Sequence, residues 1–353
     1  MQATATTTTT ATSILPNPNS FEFDWYGLKQ EQHEWLVDGL IPANGFCAIA
    51  GKPKCGKSTA IRNLVVAVLK GSTFLGRSVD LAPGAGKVLY IHLDRKDTVE
   101  RVAQELRELG VTRDESSRLI VRIAKHLPPT FAERLKWLQD LVQQHRPNLI
   151  VFDLAWQFCE VENSNEYLSV LRALNQLQDA LNEVEYKGAV IAALHSRKAT
   201  NPNDPSDDLL GSTAQRGSFV TMLMVSRNRI EGYYSIYSDQ TLRDNVFGEL
   251  EETIVVRNPD GTLGLGMTVE EFKQRDRQVN EDNDWQRLIT FLENNPGCNM
   301  TDITNGLGMS NKSVLKILKT IDGLYRTEGQ GIKGDPHRYF AVEIPVAAKE
   351  KAQ

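Results

Sequence analysis

The chain has 353 residues, room for one large domain and a small one, and its 41% hydrophobic and 24% charged content is that of an ordinary globular protein. A net charge of −5 argues against wholesale wrapping of nucleic acid but leaves room for a local basic patch. No apolar run reaches the length that spans a bilayer, so no membrane partner is expected, and the four cysteines are too scattered for a paired metal site.

Residues 1–20 are rich in threonine and lack a basic start followed by an apolar segment; they read as a disordered tail rather than a secretory signal, in a cytosolic protein. A large domain is expected over 21–266. Its first buried strand is the apolar run Phe46 to Ala50, followed by GKPKCGKST, Gly51 to Thr59. The spacing Gly51-x-x-x-x-Gly56-Lys57-Ser58 suits a turn whose backbone N–H groups converge on one point, where phosphates can sit because the glycines present no side chain. In that reading Gly51, Lys52, Pro53, Lys54, Cys55 and Gly56 form the cradle and Thr59 completes it. Lys57 bonds the β- and γ-phosphates, and the Ser58 hydroxyl holds Mg²⁺. Ile61, Leu64, Val65, Val68 and Leu69 then recur at helical spacing over Ala60 to Lys70, the strand–loop–helix context this motif requires.

Further along, Val88 to Leu93 reads as a second strand and Asp97 to Leu109 as a helix. Leu119 to Ile123 reads as a strand, and Phe131 to His145 as a helix stopped by Pro147. Asn148 to Asp153 is a buried strand ending in a carboxylate, a candidate second Mg²⁺ contact beside Ser58. Glu166 to Val184 is a long amphipathic helix and Ala189 to Leu194 another buried strand, ending at His195. Strands over Phe219–Val225, Tyr233–Tyr237 and Glu252–Val256 follow without intervening helices. Buried strands alternating with helices indicate an α/β domain, a mostly parallel sheet covered by helices on both faces, which the later strands extend in hairpins. Asp94 ends the second strand, where a carboxylate can orient an attacking water. Arg227 and Arg229 lie where a strand passes into a turn; two exposed arginines serve solubility or reach a neighbouring subunit's phosphates.

The stretches WLVDGLIPANGFCAIAGKPKCGKST, VLYIHLD, NLIVFD, AALHSRK and LLGSTAQRGS together resemble the RecA-type ATPases, most of all the RepA-like branch related to the DnaB-type ring helicases. The resemblance covers about Trp35 to Gly266. It implies a RecA-like core, ATP and Mg²⁺ held between adjacent subunits of a homo-oligomer, usually a six-membered ring, and DNA in its channel. It implies Lys57, Ser58 and Thr59 at the phosphates and the ion, Asp153 as the Walker B carboxylate, His195 as the γ-phosphate sensor, and Arg227 and Arg229 acting on the next subunit's ATP. Where the family usually has a glutamate, this chain has Asp94, shorter by a methylene, so slow hydrolysis or completion of the site by a partner is expected. The segment after Asp153, Glu160 to Glu166, is acidic where many relatives approach DNA; Arg197, Lys198 and Arg216 are the better candidates for contacts to the DNA backbone.

The charged run 267–284 reads as a solvated linker or exposed helix. Beyond it, 285–345 forms a second unit and 346–353 a tail. Within that unit Thr301 is the expected cap of a short helix, Gly306 to Met309 a turn, and Ser310 the cap of a second helix to Ile321. Lys312, Lys316 and Lys319 share one face of that helix, and the following segment resembles the hairpin of a winged helix-turn-helix domain. A cationic face of this kind lies on DNA phosphates or is merely solvated, and winged helices also dock proteins. Two functions follow. One is a replicative helicase or translocase; the other is a nucleotide-switched DNA-binding or adaptor protein with slow hydrolysis.

Overall fold

The computed structural model describes residues 34–93, 98–159, 161, 167–195, 218–238, 250–321 and 323–342. Asp94, Arg197, Lys198, Arg216, most of the acidic segment after Asp153 and both tails lie outside the described residues.

Strands as rich in apolar residues as the central ones here have to be covered on both faces, and they are. Phe46–Gly51 (β1), Val88–His92 (β2), Leu119–Ile123 (β3), Leu149–Asp153 (β4), Ala189–His195 (β5) and Thr221–Arg227 (β6) pair in parallel. Tyr233–Ser238 (β7), Thr253–Arg257 (β8) and Leu263–Leu265 (β9) extend the sheet in antiparallel fashion. The nine strands lie in the order β9-β8-β7-β6-β1-β5-β4-β2-β3. Helices Lys57–Lys70 (α1) and Val99–Glu108 (α2) pack Leu64, Val68, Val102 and Leu106 onto one face, against Ile49, Tyr90, Val151 and Ile191. Phe131–His145 (α3) and Tyr167–Glu183 (α4) pack Leu138, Leu174 and Leu177 onto the other, against Ala48, Ile91, Phe152 and Ala192. Each fully buried leucine contributes about 1.5–3 kcal/mol. The α/β architecture is as expected. The strand β9 was not anticipated, because three residues with a central Gly264 carry no readable period.

The chain leaves β1, skips two strand positions to form β2 and β3, then returns to fill the gap with β4 and β5. That reversal sets the carboxyl ends of β1, β5 and β4 side by side, the place where open α/β sheets hold ligands.

The charged run is helical. Val269–Asn294 (α5) starts at a capping box between Thr268 and Glu271 and meets no glycine or proline on its way. Its first turns dock on β7, with the Phe272 and Tyr233 rings 5.7 Å apart. Its last turns enter a separate core with Met300–Leu307 (α6), Asn311–Thr320 (α7) and the hairpin Tyr325–Glu328 (β10) and Arg338–Ala341 (β11). Leu288, Leu292, Ile303, Val314, Leu318 and Tyr339 fill that core. The cap of α6 is Asn299 rather than Thr301; its side chain accepts from the backbone N–H of Thr301 at 2.8 Å and of Asp302 at 3.1 Å. Ser310 caps α7 as expected, its hydroxyl accepting from the Ser313 N–H at 3.2 Å.

Candidate functional site

The loop between β1 and α1 is shaped by its glycines. Gly56 takes φ 102°, which a side chain disfavours, and a Cβ there would meet the Tyr234 ring at 2.7 Å. At Gly51 a Cβ would collide with the Val225 carbonyl of β6 and with Cys55 Sγ. The two glycines thus let the loop lie tight against β6 at Gly51 and against Tyr234 of β7 at Gly56.

Lys57 is the first residue of α1 and only 5% exposed. Its ammonium donates to the Gly51 and Lys52 carbonyls, both at 2.8 Å, and so lies inside the loop. Burial lowers its pKa, opposed by the neighbouring Cys55 and Asp153. The Cys55 thiol is raised above its usual value by burial, so it packs as a neutral group.

Asp153 ends β4 and is 3% exposed. Its Oδ2 accepts from the Tyr90 hydroxyl at 3.1 Å and lies 3.3 Å from His92 Nδ1; the Ser58 hydroxyl also bonds the carboxylate. Burial pushes its pKa up, but the bonds from His92, Ser58 and Tyr90 outweigh that and leave it below the usual carboxylate range. It is therefore an anion joined to the loop serine. His195 ends β5 directly opposite Gly51. Burial and the Lys57 charge lower its pKa, with Asp153 opposing, so the ring is neutral at pH 7. Its Nδ1 is buried and has no partner among the described residues, which is unusual for a polar atom.

These groups suit a Mg²⁺-bound triphosphate. A buried cation lies in the loop, an ionised carboxylate is bonded to the Ser58 hydroxyl, and an orphaned ring nitrogen, His195 Nδ1, belongs to the residue paired across from Gly51. Arg227 and Arg229 are not brought to this cluster. Both are exposed at the end of β6 and the turn after it, with Arg229 donating to Asn280 of α5 at 3.4 Å. In the C-terminal unit Lys312, Lys316 and Lys319 are exposed along α7.

Sequence reasoning missed several contributors. Beside Thr59 a cavity of about 310 Å³ is lined by Arg62, Glu105, Leu109, Arg257 and Asp260, with Arg62 and Glu105 paired at 2.7 Å. Asn63 fixes its far wall by bonding Gly261 O at 3.2 Å and accepting from Leu263 N–H at 2.9 Å. Arg62 and Glu105 left no sequence signal, since both read as exposed helix residues. Tyr90 and His92 did leave one: they are two polar residues at positions i and i+2 of an apolar strand, hence on one face. The exposed Arg326, Lys333 and Arg338 add positive charge to the β10–β11 hairpin.

A family described as an AAA domain matches residues 12–201, more than half of the chain and a span that includes the loop, Asp153 and His195. No curated protein matches the chain.

Proposed function

The chain belongs to the AAA domain family, P-loop ATPases, and from that membership we propose a Mg²⁺-ATP-dependent ring ATPase of the RecA type, near the RepA-like relatives of the DnaB helicases, acting on DNA as a replicative helicase or translocase in the cytosol. The observation that carries this reading is the meeting of Lys57, Ser58, ionised Asp153 and the orphaned His195 Nδ1 at one sheet edge.

The loop's backbone N–H groups and the Lys57 ammonium take the phosphates, and the nucleoside extends past Thr59 into the adjoining cavity. Ser58 and Asp153 would hold Mg²⁺, which neutralises charge on the phosphate oxygens when bound. Asp94 orients the attacking water, and His195 is placed to bond a γ-phosphate oxygen and to lose that bond on its departure. Arg227 and Arg229 serve a neighbouring subunit's site.

Arg197, Lys198 and Arg216 contact a single strand in the ring channel. The three helices and hairpin at the C-terminus act as a winged helix that lays α7 on duplex phosphates. Replacing Lys312, Lys316 and Lys319 together by Ala is expected to weaken DNA binding and to flatten the slope of log K against log salt by about 2–3. An unaltered salt slope in a fluorescence anisotropy titration would assign this unit to protein docking.

The second reading, a nucleotide-switched DNA-binding or adaptor protein, is favoured by the short side chain of Asp94 and the net charge of −5. Steady-state ATP turnover without DNA, with single strands and with duplex separates the two. Strong stimulation by single strands is the expected result. Slow turnover indifferent to both would sink the motor and leave the switch.

A further inference from the structure

Two polar side chains beneath the loop, Tyr90 and His92, have no role in the reading above. They are 0% and 2% exposed, in a strand whose other residues are apolar. His92 is the direct cross-strand neighbour of Asp153, and Tyr90, two residues back on the same face, reaches up to the same group. Tyr90 Oη, His92 Nδ1 and Asp153 Oδ2 form a triangle with sides of 3.2, 3.3 and 3.1 Å.

An ionised carboxylate can only accept hydrogen bonds. Tyr90 donates its hydroxyl proton to that oxygen, and His92, with its proton on Nδ1, bonds the same carboxylate. The Tyr90 hydroxyl and His92 Nδ1 also bond each other, so the three groups form one buried network. A carboxylate held by one oxygen between two buried donors cannot rotate about its Cβ–Cγ bond without breaking both. An apolar residue would satisfy the core at Tyr90 equally well, as Val151 does beside it on the same face.

We propose that Tyr90 and His92 are positioning residues that fix the Asp153 carboxylate and thereby set the affinity of the nucleotide site for Mg²⁺. This rests on the reading of Asp153 as a Mg²⁺ contact. Partners that orient a metal-binding carboxylate typically cost tenfold or more in metal affinity when removed.

The test is a Mg²⁺ titration of the full chain with a fluorescent ATP analogue, read as the half-saturating Mg²⁺ concentration and as the analogue's affinity without Mg²⁺. Tyr90→Phe removes one oxygen atom and keeps the ring in the core. It is expected to raise the half-saturating Mg²⁺ about tenfold while leaving Mg²⁺-free affinity within about twofold. His92→Leu should do the same, and His92→Asn, whose amide nitrogen falls near the imidazole Nδ1, should restore the native value. If His92→Leu does not fold, Tyr90→Phe carries the test alone. An unchanged Mg²⁺ requirement in Tyr90→Phe overturns the proposal, as does an equal loss with and without Mg²⁺, which would mark the pair as merely structural. A native chain that binds no nucleotide would sink the ATP reading and this inference with it. A native chain with an ordinary Mg²⁺ requirement that Tyr90→Phe leaves unchanged would sink only the inference.

Discussion

Lys57→Ala is expected to weaken ATP binding by at least about 100-fold while leaving the fold intact. The ammonium is buried inside the loop and already makes two charge-assisted bonds, to the Gly51 and Lys52 carbonyls. With nucleotide in the cradle, those donors have phosphate oxygens to meet instead. Each such bond contributes about 1.5–3 kcal/mol, so losing two removes roughly 3 kcal/mol, a little over two decades in Kd. Stability should change little, because the substitution also removes a charge whose burial is unfavourable enough to lower its own pKa. Calorimetric titration with ATP and a thermal melt check both halves. Native affinity in the variant would move the phosphate site away from this loop. A collapsed melting temperature would show that the ammonium holds the loop itself together.

Most of this site is readable in the sequence because each of its parts is a local pattern. A glycine loop after an apolar run, a carboxylate at the end of a buried strand and a histidine at the end of another can each be found without knowing the strand order. Parallel strands then place their carboxyl ends on one edge, so Lys57, Asp153 and His195 meet there. The contributors that were missed depend on neighbours the sequence does not declare. Nothing in VLYIH says that β4 lies beside it in a register that opposes His92 to Asp153. The bond between Asn63 and Gly261 joins residues 198 positions apart, and without it the cavity beside Thr59 has no fixed far wall. At the C-terminus the difference, at one helix cap, was local. Asn299 and Thr301 both cap well, and the choice between them turned on Asp302 completing a reciprocal bond with Asn299 at 2.9 Å. The run after Met267 read as a solvated linker or an exposed helix, and good helix formers after the Thr268 cap make it one helix that joins the sheet to the last core.

Arg227→Ala combined with Arg229→Ala should lower ATP turnover by about 10³-fold and leave ATP affinity within a few-fold of native. Both residues sit at the same sheet edge as the loop, since β6 runs parallel to β1, yet both are exposed and Arg229 leans toward Asn280 on α5. An arginine that served its own chain's phosphates would be expected beside Lys57, where burial would strengthen its field. An exposed pair at this edge is instead available to a second copy packed head to tail, the heterologous contact that closes into a ring. Mixing separates the two arrangements. A chain lacking the arginines keeps a sound loop, and a chain carrying Lys57→Ala keeps sound arginines, so each is inactive alone for a different reason. In an equal mixture, half of the loops are sound, and half of the neighbours facing them supply arginines. About a quarter of the interfaces are then complete if subunits exchange at random, and turnover should recover to about a quarter of the native rate. Absence of any recovery, with both variants assembled, would place the arginines in their own chain's site or outside the reaction. Recovery at dilutions where the chain is monomeric would contradict a shared site, because no interface exists there to be completed.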